Sequence, residues 1–170
     1  MPANNFNFRN KKGTMIPMYV GTTDEVYSSD IGRIVFRATT VNQVSLCCTD
    51  SDGLSTTPIA GFIAAVPTAT TRGTTTPAVP IYIYKLDPQL ELEAKYTTAN
   101  GGGHPASSDL GKYIGFYIST TTVTGLQLDM TYCSQNPGTS NALWFQISGY
   151  STNRRIVYGY PVAASSCLWL

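Results

Sequence analysis

Charge is scarce in this chain. Only 12% of its residues are Asp, Glu, Lys or Arg, about half the share in an average soluble domain. With 11 Lys and Arg against 10 Asp and Glu, the formal net charge is +1, so no global field draws it to nucleic acid or to an anionic membrane. Histidine occurs once, as His104. No C-x-x-C or His pair offers metal-ligand spacing, and no fingerprint implies a cofactor.

Long apolar runs are missing too. None approaches the roughly 18 to 20 residues a membrane helix needs, and the first residues are Asn-rich where a signal peptide is apolar. The expectation is a protein made without export by the usual secretory route. Its cysteines, Cys47, Cys48, Cys133 and Cys167, are expected to be thiols, since neighbours such as Cys47 and Cys48 leave opposite faces of a strand.

Catalytic motifs are lacking as well. "NGGGHP", residues 100–105, has no strand-to-helix context, no GxSxG and no P-loop lysine around it, so it reads as part of a flexible connector. "DPQLELEAKY", 87–96, carries a helix start at Asp87 and Pro88, but the alternation in "LELEA" argues equally for a strand. Glu91 and Glu93 stand two apart without a matching pair, which is no glycosidase dyad. Ten acids and one histidine, none in a motif, point away from an enzyme.

Threonine and tyrosine fill the space that charge leaves. There are 23 Thr and 11 Tyr, with Gly and Pro at short intervals. Such side chains suit a pleated, half-buried surface, so the class is all-β.

The chain also repeats itself. "SSDIGR" at 28–33 returns as "SSDLGK" at 107–112, and "TTVNQVSLCCT" at 39–49 lies over "TTVTGLQLDMT" at 121–131. This register sets Val44 on Leu126 and Leu46 on Leu128, keeping the apolar alternation of a strand. Continued, it sets Phe62 on Trp144, Ile63 on Phe145 and Arg72 on Arg154, then Ile81 on Val162.

The resulting division is an arm and edge strand at 1–23, a first repeat at 24–86, a connector at 87–102 and a second repeat at 103–170. Units of roughly 65 residues make marginal cores alone, so the two are expected to pack as one pseudo-twofold sandwich or barrel. In each S-S-D-x-G turn, Asp30 or Asp109 is read as accepting backbone N–H bonds and Gly32 or Gly111 as taking positive φ. These are structural turns; catalysis by the two aspartates is not needed to explain them.

In "IYIYK", 81–85, Ile81 and Ile83 should face the core and Tyr82 and Tyr84 the outside, where tyrosines suit a protein or sugar surface or cover a second sheet face. The N-terminal "MPANNFNFRNKKGT" has no pattern for a local element. Its reading is a partner-binding arm, with Phe6 and Phe8 as apolar anchors and Arg9, Lys11 and Lys12 facing an acidic surface. Its removal is expected to leave a folded body. The competing reading folds the arm back along its own sheet, where "MIPMYV" at 15–20 forms an edge strand that tolerates Pro17.

A Thr-, Gly- and Tyr-rich, charge-poor β chain with an extended arm and D-x-G-[KR] turns resembles the structural proteins of tailed-bacteriophage virions, and is most similar to capsid decoration, or cement, proteins. That resemblance implies a non-enzymatic β module, assembled in the host cytoplasm, that binds the outer face of a shell of major capsid protein. It implies a homo-oligomer, often a trimer, with arms clamping neighbouring capsomers, and no membrane, nucleic acid, metal or cofactor. The alternative is a carbohydrate- or receptor-binding module of a tail fibre or spike, using the tyrosines, Trp144 and Trp169.

Overall fold

The computed structural model describes residues 6–21, 26–37, 42–46, 59–67, 80–98, 101–117, 127–136 and 143–163. Within them the chain is all-β, as the composition implies: β1 (Phe6–Phe8), β2 (Met15–Val20), β3 (Ile34–Arg37), β4 (Gln43–Leu46), β5 (Ile59–Ala65), β6 (Ile81–Lys85), β7 (Leu92–Thr97), β8 (Tyr113–Tyr117), β9 (Gln127–Ser134), β10 (Leu143–Ser151) and β11 (Ile156–Ala163). Two single-turn 3₁₀ segments, Ser28–Asp30 and Ser107–Asp109, precede β3 and β8.

Strands β2, β4, β3, β5 and β6 close into a barrel in that order. The β2–β4 pair is parallel and the other pairs are antiparallel. Strands β7, β9, β8, β10 and β11 join in the corresponding order, again with one parallel pair, β7–β9, that closes the ring. Both rings share an irregularity at a corresponding place, between Ile63 and Ala65 in β5 and between Ile147 and Gly149 in β10, besides one in each ring that is not shared, at Val35/Phe36 and at Tyr113/Gly115.

The turns correspond bond by bond. Tyr27 and Ala106 donate their backbone N–H to Asp30 Oδ2 and Asp109 Oδ2 at 2.8 and 2.9 Å. Arg33 and Lys112 donate to the other carboxylate oxygen at 2.9 and 2.8 Å. Gly32, with φ of 89°, and Gly111, with φ of 82°, donate to Ile63 O and Ile147 O, both at 2.8 Å. The carboxylate thus reaches back three residues to close the turn. A positive φ then swings the chain into its strand at a position where glycine carries no steric penalty.

These bonds place Ile63 with Ile147, and hence Phe62 with Gln146, two residues beyond the Trp144 the sequence register suggests. The parallel pairs Val20↔Val44 and Tyr96↔Leu128 likewise set Val44 with Leu128, while Leu126 and Arg72 lie outside the described residues. Ile81 falls with Val157 rather than Val162, so "IYIY" lies over "VYGY". A compensating exchange accompanies that register. Gly61 and Ile83 in the first ring stand where the second has Phe145 and Gly159, and a Cβ on Gly159 would lie 2.8 Å from the Phe145 ring.

Two boundaries need correction. The stretch 87–102, expected to be a connector, contains β7, the first strand of the second ring, and the alternation of "LELEA" is its strand pattern. Likewise β2, placed with the arm, is the first strand of the first ring. Where Glu93 of β7 pairs with Asn7 of β1, the corresponding residue of β2 is Pro17. Proline has no N–H to offer a further strand.

Two apolar clusters result. Met18, Val20, Val35, Val44, Ile63, Ile81 and Ile83 fill the first barrel. The second cluster joins the inside of the second ring, including Leu92, Ile114, Leu128 and Phe145, to Ile34, Phe36, Phe62 and Tyr84 of the first ring, with Phe6 among them. The two rings are therefore one packed body, with an apolar side of the first seated on the second.

Candidate functional site

The residues assigned to a partner-binding arm are mostly engaged within the chain. Phe6 is 3% exposed, with ring centroids 5.3 Å from Phe62 and 6.1 Å from Phe145. β1 pairs antiparallel with β7, Phe6 opposite Ala94 and Phe8 opposite Leu92. Phe8 meets Tyr84 edge to face at 5.0 Å, which covers a tyrosine expected to face out. Burial of aromatic area stabilises far more than exposure of the same rings to water. The N-terminal segment therefore orders against its own chain.

Arg9 is committed too. Its guanidinium lies 3.3 Å from Glu91 and stacks 4.0 Å above the Tyr158 ring. Ser148 donates to the same Glu91 oxygen at 2.7 Å, and Glu93 accepts from Arg154 at 3.0 Å. Lys11 and Lys12 are exposed side chains, and Arg9 is exposed as well despite its contacts. Asp30, Gly32, Asp109 and Gly111 sit in the structural turns, and those turns set the apolar side chains of Ile31 and Leu110 on the surface.

One contrast between the rings was not legible in the motifs. The outward row of the second ring is Glu91, just before β7, followed by Glu93 and Lys95, and β1 pairs beside Glu93. The corresponding row of β2 is Met15, Pro17 and Tyr19. Met15 is 51% exposed and Tyr19 38%, with Pro17 exposed between them and half-buried Tyr82 across from it. An apolar row stands open where its counterpart is charged, with Glu91 and Glu93 half-buried and Lys95 exposed.

A second feature is a cleft of about 520 Å³ lined by Lys95, Tyr96, Thr97, Thr98, Asn153, Arg154 and Arg155. It lies between the end of β7 and the β10–β11 turn, where Tyr96 N donates to Arg155 O at 3.2 Å. Tyr96 Oη pairs with His104 Nδ1 at 2.7 Å, so the histidine of "NGGGHP" buttresses the cleft. Burial pushes the Tyr96 hydroxyl above its ordinary pKa, and the charge of Arg155 pulls it the other way. The sequence signal for this site was the Arg-Arg pair in "TNRR", a charged dipeptide at a tight turn in a charge-poor chain.

Burial raises the pKa of the Cys133 thiol, with Asp109 adding to the effect and Lys112 opposing it, and this cysteine is free. Cys47, Cys48 and Cys167 lie outside the described residues. Among the described residues no group of three or more His, Cys, Asp or Glu could hold a metal ion, and no helix is long and apolar enough to cross a membrane. No family model, curated protein or solved structure matches the chain. The class defined here is thus an all-β body of two linked five-stranded rings.

Proposed function

We propose that this chain is a non-enzymatic structural protein of a virion, a decoration or cement protein that docks on an assembled capsid through the outer face of β2. The observation that supports it is the open row Met15, Pro17 and Tyr19, set against the charged row of β7, where Arg9 and Arg154 pair with Glu91 and Glu93. A β body with little charge and an exposed apolar row can bind a preformed protein surface with small ordering cost. Tyrosine adds large contact area at low entropic cost. In this reading the partner is the major capsid protein or another virion protein. The protein acts as a homo-oligomer, a trimer by resemblance, assembled in the host cytoplasm.

Attachment then runs through the body rather than through a clamp of Phe6, Phe8 and Arg9. Co-sedimentation with shells lacking the protein tests this. Tyr19→Glu should weaken binding by about 2 kcal/mol or more, as loss of a central aromatic anchor does, while Lys11→Gln should change it little. Equal occupancy for Tyr19→Glu and wild type would overturn the proposal. Exposed Tyr19 and Tyr27 favour one second reading, a glycan-binding module, which glycan-array binding without shell binding would support.

A further inference from the structure

We propose that the cleft beside Lys95 is an oxyanion-binding site that takes a phosphate or sulfate group, free or carried on a larger ligand. Its volume of about 520 Å³ lies within the usual range of ligand sites. Lys95, Arg154 and Arg155 bring three positive charges to its walls, and Glu93, bonded to Arg154, offsets one of them. The local excess exceeds the +1 of the whole chain. Arg9, Arg33 and Lys112, by contrast, are each matched with an acid, in Arg9–Glu91, Arg33–Asp30 and Lys112–Asp109.

The backbone of Arg155 adds an independent reason. Its φ is 52°, a left-handed conformation that Gly or Asn adopts with least strain and that costs other residues roughly 1 to 2 kcal/mol. A turn selected for stability alone would hold one of those residues there. Arg155 instead projects a planar fork of donors, suited to the paired oxygens of a tetrahedral anion. Thr98 and Asn153, whose side chains carry neutral donors, line the same cleft. In the first ring Tyr19 occupies the place of Lys95.

The test is titration of the full chain with inorganic phosphate and with sulfate, against chloride at equal ionic strength, followed by backbone amide shifts. Saturable shifts confined to Lys95–Thr98 and Asn153–Arg155 are expected. Arg155→Asn suits the left-handed backbone while removing the charge, and Lys95→Gln lies on an exposed strand position. Each should weaken phosphate binding about tenfold or more, the loss of one charge-assisted bond, with melting temperature kept. A sulfated oligosaccharide binding more tightly than free sulfate, with its unsulfated form silent, would identify a carried group; equal affinity would identify the free ion. The proposal is overturned by shifts that chloride reproduces, by shifts centred on Lys11 and Lys12, or by affinity unchanged in both variants.

Discussion

A Cβ placed on Gly32 would lie 2.2 Å from the carbonyl oxygen of Phe6, whereas one placed on Gly111 would meet nothing within 4 Å. Both glycines have positive φ in turns that match bond for bond. The difference between them is the segment β1, which passes the first turn on its way to β7. The backbone of the first turn is thereby locked against the strand that links the rings.

Gly111→Ala should cost roughly 1 to 2 kcal/mol, the strain of a left-handed alanine. Gly32→Ala carries the same strain and must also displace the Phe6 backbone, so its cost should be larger by about 1 kcal/mol or more. Urea unfolding of the two variants measures both. Equal losses would show that Phe6 does not crowd the first turn.

The second prediction reverses what the arm reading implied. Phe6 fills the space between Phe62 and Phe145, so Phe6→Ala should destabilise the protein by about 3 to 5 kcal/mol, the usual cost of emptying a buried ring site. Phe8→Ala should cost less, because Phe8 is only half-buried. Removing residues 1–13 should then yield an unstable body. A truncated chain with the wild-type unfolding midpoint would restore the arm.

How much of this was legible follows from the range of each interaction. The S-S-D-x-G turns could be read because Asp30 and Asp109 close them on N–H groups three residues away. The alternation of Ile81 and Ile83 could be read because one strand displays it. Residue register could not, since a slip of two leaves a period-2 pattern unchanged, and Val44 opposite Leu126 or Leu128 looks alike. The strands β2 and β7 share no identity in their outward rows, so one reads as an edge strand set apart with the arm and the other as part of a connector. Phe6 carries no local sign of its partners, which lie far along the chain in β5 and β10. The cleft needed the fold to bring Lys95 beside the Arg154–Arg155 turn.

The last prediction concerns acid. Lys112 Nζ bonds Asp109 at 2.8 Å, and with the Ala106 N–H it holds this carboxyl below its ordinary value of 3.8. A depressed folded-state pKa means that the unfolded chain binds the proton more readily, so stability rises with pH across that window. The contribution of Asp109 is therefore fully present above the unfolded value and disappears as pH falls through the lower folded one. Asp109→Asn removes the titration but keeps the shape of the side chain. The stability gap between wild type and Asp109→Asn should be constant at and above about pH 5 and shrink below about pH 4. Urea midpoints of both proteins at pH 7, 5 and 3 give the answer. A gap as wide at pH 3 as at pH 7 would mean that the Asp109–Lys112 pair contributes nothing through its charge.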